Sequence, residues 1–212
     1  MERRSCLWWL VGAIGLVFAA CSGSAPFVEP GGVWWPPEEP RQPGRLTLSA
    51  PDEADPLAWW RLNVYSLVPP QVYGTFRQSS LAAGIVDETN LVRARYGLEP
   101  VTRDSRLDAV AQAHAIDCAT RDYWAHRTPE GLSSRDRIRA ATGIEATAGA
   151  ENSTAWPPGQ ATAREIVRAW ELSPGHRALL LNPAVRFIGV GVYTFSPDEL
   201  EHVVQLLVDL PS

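Results

Sequence analysis

The chain is expected to be an α+β protein in which helices flank a small antiparallel sheet, and three observations lead there. Helical spacing of apolar residues recurs from Leu81 to Leu172, whereas β-branched and aromatic runs, Phe187–Tyr193 and His202–Val208, come late and adjacent. The turn-rich stretch Ser196-Pro197-Asp198-Glu199 between those runs suits an antiparallel return. Hydrophobic residues make up 45% of the chain and charged ones 20%, the balance of a chain with a real core. The net charge of −5 argues against a nucleic-acid footprint, so no nucleic-acid partner is expected. All 19 basic residues are Arg, which excludes a lysine nucleophile or Schiff base.

Residues 1–20 read as an export signal of lipoprotein type. Arg3 and Arg4 precede the apolar run Leu7 to Ala20, too short for a membrane span of about 20 residues. Ala19-Ala20-Cys21 followed by Ser22-Gly23-Ser24 resembles a bacterial lipobox, although Phe18 stands where Leu is usual. That resemblance implies cleavage before Cys21 and acylation of its thiol, hence a membrane partner through a lipid anchor and an extracytoplasmic, cell-envelope location. A plain secretory signal is the alternative. Cys6 would leave with the signal, so Cys118 is left alone in the folded part and no disulfide is available there.

Residues 21–78 read as a Pro/Trp-rich tether. Ten of the 18 prolines lie between positions 22 and 78, a density that favours extended, semi-rigid chain. Trp34-Trp35, Trp59-Trp60 and Leu62-Asn63-Val64-Tyr65 are too apolar for a solvated spacer. Part of 57–76 is therefore expected to dock on the domain, as an edge strand; a linker touching wall or lipid is the other reading.

The compact domain takes 79–212. Leu81, Ile85 and Glu88 to Arg95 give a first helix stopped at Gly97, where a left-handed cap costs little. Asp104 or Ser105 caps a second, whose face Leu107, Val110, Ala111, His114, Cys118 keeps helical spacing. Ser133 or Ser134 opens a third, running to Gly143. Gly149 to Asn152 reads as a strand or its edge, and Ala161 to Leu172 as a fourth helix after Pro157-Pro158-Gly159. Ser173-Pro174-Gly175 then forms a sharp turn presenting His176, ahead of a short helix Ala178 to Leu181.

Four histidines bear on function. His114, on an apolar helix face, reads as a hydrogen-bonded core residue, and His202 as a surface residue at a strand start. His126 and His176 sit in Gly/Pro-bounded loops, where positioned groups concentrate. Glu151, between Gly-Ala and Asn152, is a carboxylate that needs a partner if buried. Two imidazoles and a carboxylate suit either a zinc site with an open position or a hydrogen-bonded acid/base cluster, and their spacing does not choose between them. Ser134-Arg135-Asp136-Arg137 reads as solvated surface, with receipt of an anion together with Arg177 as the alternative.

Five segments in order carry a family resemblance. They are Asn90-Leu91-Val92-Arg93 with Gly97-Leu98-Glu99-Pro100; His126 with Thr128-Pro129-Glu130-Gly131; Gly149-Ala150-Glu151-Asn152; Ser173-Pro174-Gly175-His176-Arg177; and Ile188-Gly189-Val190-Gly191. Together they resemble the CAP superfamily of cysteine-rich secretory proteins, venom allergens and plant pathogenesis-related proteins, in its short bacterial branch, over Leu81 to Leu210. The resemblance implies a three-layer α-β-α sandwich with an open cleft that in many relatives carries two histidines and two glutamates, sometimes with a divalent metal. His126, His176 and Glu151 match three of these positions. Ser173 stands where the second glutamate normally lies, and Glu171 points about 200° away around an ideal helix. The cofactor the resemblance admits is a divalent metal, a zinc ion on His126, Glu151 and His176. The expected function is a ligand-binding or surface-interaction module whose cleft is lined by His126, Glu151, His176, Ser173 and Arg177 and takes a small amphipathic ligand or envelope component. A metal-assisted hydrolase and a structural envelope protein are the alternatives, with an enzyme the less favoured reading.

Overall fold

The computed structural model describes residues 55–65, 76–194 and 200–211. The export signal, Cys21 and most of the tether lie outside the described residues. The elements are α1 (Pro56–Asn63), α2 (Phe76–Arg95), β1 (Thr102–Arg103), α3 (Ser105–Arg121), α4 (Ser134–Thr142), β2 (Ala148–Trp156), α5 (Ala163–Leu172), α6 (Pro174–Leu180), β3 (Phe187–Thr194) and β4 (Glu201–Asp209).

The strands form one sheet in the order β1-β3-β4-β2, with β1 parallel to β3 and the other pairs antiparallel. Side chains alternate between its two faces. Ile188, Val190, Val192, Val203 and Leu207 pack with α2, α5 and α6, while Val204, Leu206 and Val208 pack with α1, α3 and α4. This is the α+β, three-layer α-β-α sandwich expected.

The helix ends follow local chemistry. The Asp104 side chain accepts from the Arg106 and Leu107 amides at the start of α3. Ser133 with Asp136 and Thr162 with Glu165 form reciprocal capping boxes at α4 and α5. Beyond α2 the Leu98 amide returns to the Arg93 carbonyl and the Gly97 amide to that of Ala94, each at 3.0 Å, with Gly97 left-handed at φ 69°.

Three segments differ from the sequence reading. Residues 56–63 lie on the domain as a helix, not an edge strand, because Asp55 caps it and Pro56 occupies the first turn, where a missing amide hydrogen costs nothing. For the same reason α6 starts at Pro174, which puts His176 in its first turn rather than in a loop before it. The crossover after Pro100 contains the short strand β1.

Buried polar side chains hold the helices to one another and to the sheet. Arg93, 1% exposed, donates to the carbonyls of Glu99, Leu180 and Asn182 and so pins the end of α6. Past Arg103 the open edge of β3 is closed by α3: the Val190 and Val192 amides each donate at 2.8 Å, to Asp108 Oδ1 and Gln112 Oε1, and Gln112 Nε2 returns a bond to the Val192 carbonyl. Two side chains one helical turn apart thus stand in for a missing strand.

Candidate functional site

The site is built around Glu151 on β2, which among the described residues is an edge strand paired with β4. Glu151 is 1% exposed and its two oxygens have different partners. Oε1 accepts from His126 Nδ1 at 2.9 Å, and Oε2 is paired with the Arg137 guanidinium of α4. Arg137 has no exposed surface and also donates through Nη1 to the carbonyls of His126, at 2.9 Å, and Leu132, at 3.0 Å. One arginine therefore fixes both the carboxylate and the backbone that carries the histidine.

Sequence reading missed Arg137 by assigning Ser134-Arg135-Asp136-Arg137 to solvated surface. Ser134, Arg137 and Ile138 are in fact the buried face of α4, at i, i+3 and i+4. That spacing, with a buried carboxylate requiring a cation, was the available signal. His114 of α3 joins the same group. Its Nε2 donates to the Ala125 carbonyl at 3.0 Å and lies 3.6 Å from Glu151 Oε1. It is the core histidine expected, but it is also a neighbour of the site.

His176 approaches differently. Adjacent residues of a strand face opposite sides, so Asn152 points away from Glu151. The Asn152 amide donates to Gln205 Oε1 at 3.0 Å and reaches the His176 carbonyl at 3.4 Å. The His176 ring bonds the Ser173 hydroxyl, 2.9 Å from Nδ1, rather than Glu151. Ser173 makes no side-chain cap at the start of α6. Arg177 is exposed. Glu171 is engaged by Arg95 and Arg168. The structure thus joins His126 to Glu151, while the His176 ring is bonded to Ser173.

The ionisation states follow from these contacts. Burial alone would raise the Glu151 pKa, but the charges of Arg137 and His114 and the bond from His126 hold it at about 2. Glu151 is then a pure acceptor, so the proton of the His126–Glu151 bond belongs to His126 Nδ1. Burial, then the Arg137 charge, lowers His114 to about 3, and burial, then the His126 charge, lowers His176 to about 4. Both rings are neutral at pH 7.

Among the described residues, no group of three or more His, Cys, Asp or Glu side chains is arranged to hold a metal ion. Both Glu151 oxygens are engaged, Oε1 by His126 and Oε2 by Arg137.

The shifts predict acid lability. A histidine whose folded pKa is depressed stabilises the fold above the unfolded value of 6.5 and loses that contribution as pH falls towards the folded value. Urea midpoints should therefore hold above pH 6.5 and decline down to about 4 for His176 and about 3 for His114. Glu151 adds a loss between its ordinary 4.5 and about 2. Each titrating group steepens the slope by up to about 1.4 kcal/mol per pH unit. His176→Ala should flatten the part between 6.5 and 4; an equal midpoint at pH 7 and pH 5 in the unsubstituted chain would contradict these assignments.

Comparison with known proteins agrees with this architecture. The family model of CAP, the cysteine-rich secretory protein family, matches residues 86–207. The chain is 36% identical over 107 residues to the uncharacterized protein YkwD of Bacillus subtilis (strain 168), covering 50% of this chain and 40% of that one. It is 30% identical over 115 residues to the uncharacterized membrane protein YlbC of the same strain, covering 54% and 32%. It thus spans less than half the length of these relatives. Among solved structures it resembles an extracellular protein containing a SCP domain from Bacillus anthracis str. Ames, at TM-score 0.55 and 26% identity, covering 62% of this chain and 41% of the other. An outer surface protein of Borrelia burgdorferi, at TM-score 0.56 and 20% identity over 66% of this chain and 97% of its own, shares the fold. With more than half of the sequence matched and the sandwich in place, the chain belongs to the cysteine-rich secretory protein (CAP) family.

Proposed function

We propose that this CAP-domain protein is an extracytoplasmic binding module, anchored by lipid at Cys21, that uses the β2 edge as its recognition cleft. His126, Glu151, His176, Ser173 and Arg177 line that cleft, and its ligand is a small amphipathic molecule or an envelope component. The observation that carries the reading is the double engagement of Glu151. A carboxylate bound to Arg137 on one oxygen and His126 on the other, with its pKa held at about 2, is a poor general base and orients the imidazole instead. His176 with Ser173 supplies a neutral hydrogen-bonding pair beside it. The extracytoplasmic placement draws support from the export signal, from the extracellular SCP-domain protein and from the membrane protein among the relatives.

The test uses the full chain titrated with a fluorescent long-chain fatty acid and with cell-wall fragments. Saturable binding of either probe, weakened about tenfold or more in His126→Ala and His176→Ala, is expected for loss of an orienting hydrogen bond. Binding unaltered by both substitutions removes the cleft from the function. Stoichiometric zinc uptake lost in both variants would turn the reading towards the metal-assisted hydrolase. Cys21→Ser should move the protein from the membrane to the soluble fraction; retention on the membrane would exclude acylation as the anchor.

A further inference from the structure

Helix α1 lies outside the residues matched to the family, yet both its tryptophans are buried in the domain. Trp60 has no exposed surface and belongs to the apolar core shared with Ile138 of α4 and Leu107 of α3. Trp59 reaches a different partner. Its ring centre lies 5.5 Å from the guanidinium carbon of Arg121, which is also 5.4 Å from the centre of the Tyr123 ring. Both distances are within cation–π range.

Arg121 begins a buried line of polar contacts leading to the site. It is bound to Asp117, with Nη2 at 2.6 Å from Oδ2, and to Glu130, with Nη2 at 3.2 Å from Oε2. The Tyr123 hydroxyl donates its single proton to the same Asp117 Oδ2 at 2.6 Å, and its oxygen lies 3.4 Å from His114 Nδ1. On the far side of that ring, His114 Nε2 faces Glu151 Oε1, the oxygen that also accepts from His126. Asp117, Tyr123, His114 and Glu151 are each less than 5% exposed. Water therefore offers none of them a ready substitute partner.

We propose that helix α1 is a releasable positioning element for the His126–Glu151 pair, acting through Arg121, Asp117, Tyr123 and His114. An eight-residue helix does not persist alone in water, so α1 is ordered by its docking and has two natural states, docked and released. Its position in the stretch leading from the export signal to the domain means that a pull on the tether acts on α1 first. Release uncovers Arg121 to water. Asp117, whose carboxyl burial pushes up against the pull of Arg121, then loses its main partner. The stranded carboxylate then holds the Tyr123 hydroxyl more tightly and draws it from His114 Nδ1. The His114 ring shifts with this neighbour and changes what Glu151 Oε1 sees, and that oxygen is the one that orients His126. The inference concerns the geometry of the pair and stands whether or not the cleft binds the proposed ligand.

The test is nuclear magnetic resonance of the imidazole nitrogens in the full chain. In folded Trp59→Ala, the ring signals of both His114 and His126 should move. Tyr123→Phe cuts the line in the middle while leaving α1 docked, as tryptophan fluorescence would verify, and should move His114 and His126 as well. Leu62→Ala, on the 66%-exposed face of α1, should move neither. A folded Trp59→Ala chain with both rings at their original positions would overturn the proposal. So would Tyr123→Phe with an unmoved His114, and that variant decides the matter if Trp59→Ala does not fold.

Discussion

Arg137→Met is expected to destabilise the fold by about 3–5 kcal/mol at pH 7, the cost of breaking a buried ion pair from one side. Arg137 has no exposed surface, and its loss leaves the Glu151 carboxylate inside the protein without a full counter-charge. It also strips donors from the His126 and Leu132 carbonyls. The pH dependence should reverse as well. In the unsubstituted chain Glu151 titrates below its ordinary value, so its contribution is present above 4.5 and disappears in acid. Without Arg137, burial becomes the dominant influence and raises the folded pKa above the unfolded one. Stability then falls as pH rises through that range, and the deficit of Arg137→Met relative to the parent should shrink in acid. Urea unfolding at pH 7 and pH 4 measures both signs. Adding Glu151→Gln removes the stranded charge and should recover part of the loss. A single-variant cost below about 1 kcal/mol, the worth of an exposed pair, would mean that Arg137 is not buried as described.

The same residue shows what the sequence could reveal. Groups whose role is local were readable: Asp104, Ser133 and Gly143 sit at helix ends because their own backbone neighbours require them there. The pairing of Phe187–Thr194 with Glu201–Asp209 was readable for the same reason, since one short connection leaves few alternatives. His126 and Glu151 were found through family motifs. Arg137 was hidden because a run of alternating charges looks solvated unless its helical face is counted, and its partner lies 14 residues away on another element. The proline-rich setting of 21–78 obscured Asp55-Pro56, a helix-start signal when read by position rather than by composition. The division of labour between His126 and His176 follows from β2 being an edge strand with two usable sides, which is tertiary information.

Gly191→Ala should be strongly destabilising, because it acts on the seam between α3 and β3. A Cβ there would lie 2.2 Å from the Gln112 nitrogen and 2.3 Å from the Ala111 carbonyl carbon; at Gly189 it would lie 2.3 Å from the Leu107 carbonyl carbon. These neighbours are helix backbone, which cannot swing aside as a side-chain tip can, so α3 must lift from the strand. Lifting breaks the Asp108–Val190 and Gln112–Val192 bonds, both 2.8 Å, and uncovers the β3 edge they close. Overpacking of a core typically costs about 1–3 kcal/mol, and the lost edge bonds place this case at or above the top of that range. Gly175→Ala supplies the contrast. Nothing lies within 4 Å of its added Cβ, and it sits in the first turn of α6 without a left-handed backbone, so stability should be unchanged or rise by up to about 1 kcal/mol. Thermal melting compares the variants, and hydrogen exchange at the Val190 and Val192 amides tests the cause. Full protection of both amides in a normally stable Gly191→Ala chain would mean that α3 does not close this edge.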